Sequence, residues 1–532
     1  MSTSAKPIPQ PASAVSALPV AGQLAKILSS ITLLDGPHEE IAVRAPYTGE
    51  TVATLPAARQ ADVALAVDRA RAAQPAWAAR PIRQRAKVLL RFHDLLLKRQ
   101  GEVLDLIQLE CGKARRHAFE EVLDTAVVSR YYARRAGKLL RTRRRKGALP
   151  LLTRTLEVRA PLGVVGFITP WNFPLILGIT DLLPALMAGN AAVLKPDTQA
   201  SLTALWAVAL LREAGLPADV LQVVTGDGPT VGPLLGDRVD FLMFTGSTRT
   251  GRLVARQAAE RLIGCSLELG GKNAMLVLRD ADLSRTVEGA IRGCFVGAGQ
   301  VCVSLERIYV DQSIFEEFVR RFVERARSMR IGPAFDFSIE MGSMTRESQV
   351  ATVEDHVGDA LARGATLAAG GHRRPDLGPL FYEPTILLNV REGMKAFQEE
   401  TFGPVVAVYP FATEEEAVER ANASRYGLSA SIWTRDTARG VRLAQQIRTG
   451  SVNVNEAYAA AWASVDSPIG GLKESGLRPR HGVEGILKYT HSQTVAVQRV
   501  LPIAPTGPVD PALNARVMTQ LLKVLRWTRI LG

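Results

Sequence analysis

The sequence predicts an α/β protein with two doubly wound domains. Two observations carry this prediction. Short apolar runs alternate with helical patterns over about residues 163–273, and again from about residue 275, as buried parallel strands separated by helices do. The chain also has 532 residues, of which 47% are hydrophobic, and a chain of this length usually forms more than one hydrophobic core.

The N-terminal part is expected to be mostly helical. Apolar residues at three- and four-residue spacing predict helices over Ala61–Ala73 and Arg83–Lys98. Residues 1–35 are expected to form a flexible tail, because their first twenty residues are rich in proline, alanine and serine. The basic run Arg141–Lys146 is interpreted as a solvated helix end followed by a loop, and the alternating run Thr153–Val158 as an exposed strand.

Eight short apolar runs supply the predicted strands, and each is followed by a turn or a helix start. In the first domain they are Gly163–Thr169, Ala191–Lys195, Val220–Thr225 and Phe241–Phe244. In the second they are Ala274–Leu278, Glu306–Val310, Val405–Pro410 and Ser431–Trp433, with helices expected at Ser313–Met329 and Thr413–Ala423. Residues 501–532 are expected to be an appendix with a proline-rich link and a helix.

Composition argues against several classes of protein. The formal net charge is +13, but no zinc-finger, RNP or recognition-helix pattern accompanies it, so nucleic-acid binding is discounted. The four cysteines form no CxxC pair, so neither a metal site nor a disulfide framework is predicted. The N-terminus lacks the apolar core of a secretory signal, and no apolar stretch reaches about 18 residues. We therefore expect a cytoplasmic protein.

A turn after one predicted strand is a candidate phosphate site. The segment 246–251 (GSTRTG) follows the strand-like run Asp240–Phe244 and leads into a helix from about Gly251. Glycine lets the backbone approach a phosphate, and a helix N-terminus presents unpaired N–H groups to it. A turn without a ligand is the simple alternative.

Three further residues are suited to acyl chemistry. Glu268 lies in the apolar segment LELGGKN, where burial would raise its pKa towards the range of a general base; a salt-bridged structural glutamate is the alternative. Cys302 follows small residues in GQVC and is a candidate nucleophile, with core packing as the alternative. Asn172 lies in TPWNFP, where two prolines fix an amide that can donate to an oxyanion.

Taken together and in this order, these segments resemble the aldehyde dehydrogenase superfamily. The motifs TPWNFP, LKP, FTGST, LELGGKN, GQVC, EETFGPV and PIGGLKESG all occur in the family's order, and the resemblance covers about residues 40–498. The 34 residues that separate Glu268 from Cys302 also resemble the family's spacing. Chance agreement of seven ordered motifs is negligible, so the structural alternatives for these two residues are set aside.

The resemblance implies catalytic roles for three residues. Cys302 corresponds to the nucleophile that attacks the aldehyde carbon, and Asn172 to the amide that holds the oxyanion with the backbone N–H of Cys302. Hydride transfer to nicotinamide then leaves a thioester, which water activated by Glu268 hydrolyses. Relatives that pass the acyl group to coenzyme A commonly lack this glutamate, so a free carboxylic acid is expected. These intact residues argue against a non-catalytic binding or structural relative.

The resemblance also implies a cofactor site in the first, Rossmann-like domain, and catalysis in the second. The residues at cofactor-binding positions are Trp171, Asn172, Lys195, Pro196, Asp197, Thr198, Gly246, Ser247, Leu269, Glu400 and Phe402. Lys195 is expected beside the adenosine ribose, Ser247 at the pyrophosphate and Glu400 at the nicotinamide ribose. Phe402 is expected near the nicotinamide ring.

Thr198 departs from the pattern of NAD-preferring members. Those members often carry a glutamate three residues after the lysine, where it accepts from the ribose hydroxyls. Without that carboxylate a 2′-phosphate is not repelled, and Lys195 attracts it. We therefore expect NADP⁺ to be preferred over NAD⁺, with Asp197 as an alternative partner for the ribose.

The expected substrate is a small aldehyde. KPDTQASLTA, GQVCVSLERIYV and SPIGGLKESGLRPRHG most resemble actinobacterial-type succinate-semialdehyde dehydrogenases. Members with that activity hold the distal carboxylate with two arginines, but this chain has Val296 at one position and Thr180, followed by Asp181, at the other. Succinate semialdehyde is one expectation, and an apolar or aromatic aldehyde is the other.

The remaining segments concern assembly. Family members assemble through a strand-rich arm, for which Leu152–Val158 and Thr494–Val500 are the candidates, so a homodimer or homotetramer is expected. Val517, Leu521, Val524 and Leu525 fall at helical spacing; packing on the protein's own oligomer is favoured, and contact with a membrane surface is the alternative. The expected boundaries are 1–35 for the tail, 36–145 and 160–273 for the cofactor domain, 274–480 for the catalytic domain, 146–159 and 484–500 for the arm, and 501–532 for the appendix.

Overall fold

The computed structural model of the chain describes residues 24–147, 153–499 and 510–526. The strands are β1 (Glu40–Arg44), β2 (Thr51–Pro56), β3 (Arg143–Arg145), β4 (Thr153–Pro161), β5 (Val164–Thr169), β6 (Ala191–Pro196), β7 (Leu221–Val223), β8 (Phe241–Thr245), β9 (Gly264–Glu268), β10 (Asn273–Val277), β11 (Leu305–Asp311), β12 (Thr366–Ala369), β13 (Thr385–Leu388), β14 (Val405–Phe411), β15 (Tyr426–Gly427), β16 (Ser429–Trp433), β17 (Ser451–Val454), β18 (Leu472–Lys473), β19 (Gly476–Leu477) and β20 (Thr490–Gln498).

The α-helices follow in chain order. They are α1 (Leu24–Leu28), α2 (Gln60–Ala79), α3 (Ile82–Lys98), α4 (Gln100–Cys111), α5 (Arg115–Leu139), α6 (Pro174–Ile179), α7 (Leu182–Ala188), α8 (Ser201–Glu213), α9 (Gly228–Gly236), α10 (Thr248–Glu260), α11 (Leu283–Phe295), α12 (Phe315–Arg327), α13 (Glu347–Ala362), α14 (Lys395–Gln398), α15 (Glu414–Asn422), α16 (Thr437–Ala444), α17 (Ala459–Ala463), α18 (Gly482–Leu487) and α19 (Pro511–Leu525).

The first domain is built on a six-stranded sheet of order β19-β9-β8-β5-β6-β7. All its neighbouring strands are parallel except β19, which pairs antiparallel with β9. Strands β5, β6 and β8 are buried along their whole length, which explains their continuous apolar sequence. The chain runs from β5 outward through β6 and β7, then returns to β8 on the other side of β5. The gap beyond the carboxyl ends of β5 and β8 is therefore the place where an open α/β sheet binds ligands.

The second domain is built on a seven-stranded sheet of order β12-β13-β14-β11-β10-β16-β17. Its strands are parallel except β12, which pairs antiparallel with β13. The predicted α/β class with a Rossmann-like domain and a catalytic domain is confirmed. The eight strand predictions and the four helix predictions also match observed elements, with ends displaced by a few residues.

The third sheet has the order β20-β4-β3. The loop predicted for the basic run is wrong at Arg143–Arg145, because these residues form β3 and pair with β4. The guanidinium of Arg145 forms an ion pair with Glu157 on β4, so a charged run is stabilised by a residue of the neighbouring strand. The strand predicted at Thr153–Val158 is observed as β4, whereas Leu152 and Val500 lie outside the described residues.

The N-terminal end of the described chain packs on the first domain, whereas the C-terminal helix is exposed. Part of the predicted tail packs on the first domain, because Ile27 of α1 is buried in its core and Thr32 donates to the carbonyl of Val223. Residues 1–23 lie outside the described ranges. Helix α19 buries none of its described side chains. Within the described ranges, no helix is long and apolar enough to cross a bilayer, and no cluster of candidate metal ligands is found.

Candidate active site

The site lies where the carboxyl ends of β5 and β8 meet the second domain. Residues 170–174 follow β5 and place Trp171 and Asn172 over the end of the sheet. Gly246 and Ser247 follow β8, and the Ser247 hydroxyl caps α10 by accepting from the N–H of Thr250 at 3.3 Å. The turn therefore presents the helix N-terminus expected of a pyrophosphate site.

Cys302 lies in a sharply bent loop between α11 and β11. Gly297, Ala298 and Gly299 have φ angles of +56°, +55° and +70°. A β-carbon on Gly299 would lie 2.0 Å from the carbonyl oxygen of Gly403, so the backbone approaches too closely for any side chain. This approach packs the nucleophile loop against the segment that carries Phe402.

The Cys302 loop is held by two amides. Asn172 Nδ2 donates to the carbonyl of Gln300 at 3.0 Å, and Asn273 Nδ2 donates to the carbonyl of Cys302 at 2.8 Å. A primary amide carries two N–H groups. One N–H of Asn172 therefore fixes the amide to the loop, and the other is left to donate to an oxyanion formed on a substrate bound to Cys302.

A buried ion pair supports Asn172, and the sequence did not reveal it. Lys113 donates to the backbone carbonyl of Asn172 at 2.6 Å and to Glu121 at 2.6 Å. Glu121 in turn accepts from the backbone N–H groups of Leu175 and Ile176 at the start of α6. These contacts join the segment 170–174 to α5, which lies about fifty residues earlier in the chain.

Cys302 borders two cavities on opposite sides. The first, of about 280 Å³, has mainly apolar walls; it is lined by Glu120, Leu123, Asp124, Val127, Phe173, Ile176, Leu177, Arg292, Val301, Cys302, Val303, Tyr458, Ala459, Trp462 and Ala463. The second, of about 270 Å³, lies at the end of the first sheet; it is lined by Pro170, Trp171, Asn172, Leu177, Thr245, Gly246, Ser247, Glu268, Leu269, Gly270, Cys302, Gln349, Thr352, Glu400 and Phe402. Besides Cys302, only Leu177 is shared. The thiol can thus meet one molecule from each side.

Burial sets the charge of the two reactive groups. Burial, together with the carboxylates of Glu268 and Glu400, raises the pKa of Cys302 to about 12. Burial also raises the pKa of Glu268 to about 7, against the attraction of Arg480 and Lys488. At neutral pH the resting sulfur is therefore a thiol, and the neighbouring carboxylate is poised to take a proton.

A second buried ion pair positions Glu400 and Phe402. Glu306 accepts from the backbone N–H of Phe402 at 2.9 Å and is paired with Lys272 at 2.6 Å. Glu400 accepts from the N–H of Gly271 at 2.8 Å, and burial raises its pKa to about 8. The ring of Phe402 meets that of Trp171 edge to face at 5.6 Å. The cavity wall is therefore built by both domains.

The predicted residues at the end of β6 form a neighbouring group that does not line this second cavity. Lys195 is 3% exposed, its pKa is lowered by burial, and its ammonium group has no hydrogen bond or ion pair among the described residues. Pro196 is buried at the strand end. Asp197 accepts from the N–H of Gln199 and is paired with Arg346, and Thr198 donates to the carbonyl of Gly226 at 3.0 Å.

This arrangement fits a nicotinamide dinucleotide. The cleft at the sheet end can hold the nicotinamide half, with Glu400 as acceptor for ribose hydroxyls. The unpartnered, buried ammonium of Lys195 calls for an anion or a hydroxyl group at the adenosine end. Of the eleven predicted cofactor positions, seven line this cleft together with Cys302 and Glu268, and the other four lie at the end of β6.

Comparison with known proteins agrees with this site. The model of the aldehyde dehydrogenase family matches residues 34–495. A protein of Mycolicibacterium smegmatis named putative succinate-semialdehyde dehydrogenase (NADP(+)) is 47% identical over 509 residues, which cover 96% of this chain and 98% of the relative. The 3-sulfolactaldehyde dehydrogenase of Pseudomonas putida is 38% identical, over 85% of this chain and 93% of the relative.

Solved structures give the same result. A crystal structure of an E. coli NADP-dependent enzyme has a TM-score of 0.84 at 34% identity and covers 89% of this chain and 99% of its own. A point mutant of Staphylococcus aureus betaine aldehyde dehydrogenase, solved with NAD⁺, has a TM-score of 0.84 at 32% identity. The match covers 90% of this chain and 97% of the betaine aldehyde dehydrogenase chain. Two α/β domains with a thiol between them define an oxidoreductase dependent on NAD(P)⁺. The chain belongs to the aldehyde dehydrogenase family.

Proposed function

We propose that the protein oxidises a small aldehyde to the free carboxylic acid through a thioester on Cys302, with NADP⁺ as the preferred cofactor. One observation carries this proposal: Cys302 lines both an apolar cavity and the cleft at the end of the first sheet, where Asn172 and Glu268 also lie. An aldehyde in the first cavity would meet the thiol on one face, and a nicotinamide in the second would lie on the other.

The proposed reaction uses three residues of the chain. The Cys302 thiol gives its proton to solvent water as the sulfur adds to the aldehyde carbon, and the free N–H of Asn172 donates to the oxyanion. A bound nicotinamide cofactor supplies the hydride acceptor that converts this adduct into the thioester. Glu268 then takes a proton from water as the hydroxide adds to the thioester carbon, the carbon–sulfur bond breaks, and the acid leaves.

The end of β6 supports a preference for NADP⁺. Lys195 forms no ion pair or hydrogen bond within the described chain, although Asp197 and Asp227 lie near enough to act on its charge, and the carboxylate of Asp197 is engaged by Arg346. Asp197 therefore has less capacity to accept from ribose hydroxyls, and the two cations favour a 2′-phosphate. The names of the Mycolicibacterium smegmatis relative and of the E. coli enzyme also refer to NADP.

Succinate semialdehyde is the proposed substrate. Two relatives are named for short anionic aldehydes, and Arg292 is a cation on the wall of the apolar cavity. Its guanidinium lies 3.3 Å from Glu120 and 3.6 Å from Glu456, and 42% of the side chain is exposed. The position differs from the two at which arginines were expected, Thr180 and Val296, so sequence spacing alone did not reveal it.

An apolar or aromatic aldehyde is the second candidate. The specific observation in its favour is the wall of the cavity, where Phe173, Tyr458 and Trp462 lie among aliphatic residues. The carboxylate of Glu120 beside Arg292 also weakens the attraction for a substrate anion.

The test is a panel of succinate semialdehyde, hexanal and benzaldehyde assayed with NADP⁺ and NAD⁺. We expect turnover by the wild type and none by Cys302→Ala. Arg292→Met should raise KM for succinate semialdehyde at least about tenfold and leave benzaldehyde unaffected, whereas Arg325→Met, outside the cavity, should change neither. Preference for benzaldehyde in the wild type would favour the second candidate, and inactivity with every aldehyde would refute the proposed function.

We also propose a homodimer or homotetramer joined through the β20-β4-β3 sheet, with the domain boundaries predicted from the sequence. The outer strand β20 is exposed along nearly its whole length, which supports a partner there. The four free cysteines support a reducing, cytoplasmic compartment.

A further inference from the structure

A buried cluster of charged groups lies beside Glu268, and one of its members, Asp124, also lines the apolar cavity. Its members come from α5, the α6–α7 turn, the end of β9, and the segment that leads into and out of α18. All have relative exposures below 9%. They are Asp124, Asp181, Glu268, Arg480, His481 and Lys488.

Arg480 is the centre of this cluster and is anchored by Asp181. Its Nη2 lies 2.6 Å from an Asp181 carboxylate oxygen and donates to the Thr180 hydroxyl at 2.8 Å. The same carboxylate lies 3.0 Å from Lys488 Nζ and accepts from the Tyr489 hydroxyl at 3.1 Å. Two contacts thus fix Nη2 of the guanidinium, which also packs over the Trp462 ring at 5.1 Å, while its Nε and Nη1 have no protein hydrogen bond in the described chain.

The backbone brings Arg480 to Glu268. Ile469 and Arg480 exchange backbone hydrogen bonds at 2.9 and 2.7 Å. Gly470 follows Ile469 and has no side chain. A β-carbon on Gly470 would lie 3.4 Å from Glu268 Oε1. The strand-like pairing therefore holds the guanidinium on the side of the sheet end where the carboxylate of Glu268 is buried.

The unpartnered polar atoms of the described chain are concentrated in this place. Glu268 Oε1, Arg480 Nε and Nη1, both ring nitrogens of His481, both carboxyl oxygens of Asp124 and the indole N–H of Trp462 are buried without a protein hydrogen bond. They make up about half of all such atoms found in the described residues. Buried polar groups are almost always satisfied, and water supplies the partner where protein does not.

We propose that Arg480 is a positioning residue for Glu268: anchored on Asp181, its free N–H groups hold the Glu268 carboxylate in its ionised form through bound water. Arg480 lines neither cavity, so it acts through Glu268 and touches neither substrate nor cofactor. The proposal rests on the proposed function, because Glu268 must be the base that activates water.

The step affected is thioester hydrolysis. Water loses one proton to the Glu268 carboxylate as its oxygen bonds to the acyl carbon, and the carbon–sulfur bond breaks to release the acid and the Cys302 thiolate. A neutral Glu268 cannot take that proton. Formation of the thioester precedes this step and does not require Glu268 to accept a proton from water.

The charges around Glu268 oppose one another. Burial raises its pKa to about 7, Arg480 and Lys488 lower it, and Asp181 raises it. His481 adds no further cation, because burial and then Arg480 lower its pKa to about 3. Asp124, whose pKa burial raises to about 7, is coupled to the same guanidinium. Loss of the Arg480 charge should therefore favour protonated Glu268, and loss of the Asp181 charge should favour the ionised form.

The test compares Arg480→Gln, Arg480→Lys and Asp181→Asn with the wild type. For each full-length variant, kcat is measured from pH 5 to 9, and the burst of NADPH is measured in single-turnover experiments. We expect Arg480→Gln to move the acid limb of kcat upward by at least about one pH unit, with the burst retained. Arg480→Lys should stay closer to the wild type. Asp181→Asn keeps an amide oxygen that can accept from Arg480 Nη2 but removes the negative charge, so it should move the limb in the opposite direction.

A merely structural role for Arg480 would lower kcat or thermal stability without moving the limb, and that result would overturn the proposal. A lost burst in Arg480→Gln would do so too. If Arg480→Gln does not fold, Asp181→Asn decides the matter: a downward shift of its acid limb supports the proposal, and an unmoved limb counts against it. Wild-type inactivity, or full turnover by Glu268→Gln, would instead refute the proposed function on which the inference rests.

Discussion

At the scale of single residues, burial has different consequences for the two reactive groups. It keeps Cys302 as a thiol at neutral pH, since its pKa is raised to about 12. It brings Glu268 to the midpoint of its titration at neutral pH, since its pKa is raised to about 7. The proton balance of the proposed reaction is therefore governed by the carboxylate, which changes charge in the range where the protein works.

The first prediction concerns the pH dependence of kcat. Glu268 must be unprotonated to accept a proton from water, so kcat should fall about tenfold per pH unit below pH 7 and level off above it. Steady-state rates with saturating aldehyde and NADP⁺ between pH 5 and 9 check this. A flat profile down to pH 5 would show that no group with a raised pKa limits turnover.

The second prediction concerns Asn172. Replacing it with alanine removes the side-chain N–H groups but keeps the backbone carbonyl that accepts from Lys113. The variant should remain folded and lose about 10²–10³ in kcat, the usual cost of one oxyanion donor. Thermal unfolding and steady-state kinetics measure the two effects separately. Near-normal turnover would show that Asn172 is not a donor to the oxyanion.

At the scale of elements, the nucleophile loop depends on a glycine. Gly299→Ala should strain a residue with φ of +70° and force the new β-carbon against the Gly403 carbonyl. We expect a loss of stability of about 1–3 kcal/mol and a smaller NADPH burst, because Cys302 is displaced. The matched control is Gly358→Ala, which meets nothing within 4 Å in helix α13 and should retain activity. Equal behaviour of the two variants would contradict the prediction.

The end of β6 gives a prediction about cofactor choice. Thr198→Glu places a carboxylate near the buried ammonium of Lys195, where it should repel a 2′-phosphate and accept from ribose hydroxyls. The ratio of kcat/KM for NADP⁺ over NAD⁺ should fall at least about tenfold. Thr198→Gln has the same shape without the charge and should change the ratio little. A ratio unaffected by the glutamate would place the adenosine ribose elsewhere.

Elements with local sequence patterns were predicted well, and those that depend on distant partners were not. Strands β5, β6 and β8 are buried on both faces, so their apolar runs are sufficient evidence. Strand β3 is made of arginines and exists because β4 pairs with it, which no local pattern indicates. Catalytic motifs revealed Cys302 and Glu268 through the family resemblance. The supporting hydrogen bonds from Lys113 to the Asn172 carbonyl and from Leu175 to Glu121 join segments whose proximity only the fold creates.

At the scale of the whole molecule, two exposed surfaces remain within the described chain. Strand β20 has β4 as its one neighbour, and Val495 and Val497 on it are 38% and 47% exposed. Helix α19 leaves Val517 and Val524 exposed as well. Exposed strand edges pair readily with other strands, and apolar surface is usually covered. Both features are consistent with the assembly expected from the sequence.

The last prediction concerns that assembly. Introducing Val495→Lys and Val497→Lys together places two charges on β20, and burying them against another subunit would be costly. The wild type should run as a dimer or tetramer in size-exclusion chromatography with light scattering, and the double variant as a smaller species. Leu262→Lys, at a site 95% exposed and distant in sequence, controls for added charge and should leave the mass unchanged. Since Cys302 and its two cavities lie within one chain, we expect the smaller species to keep its NADPH burst. An unchanged mass for the double variant would contradict an interface at β20. A monomeric wild type would contradict the proposed homo-oligomer.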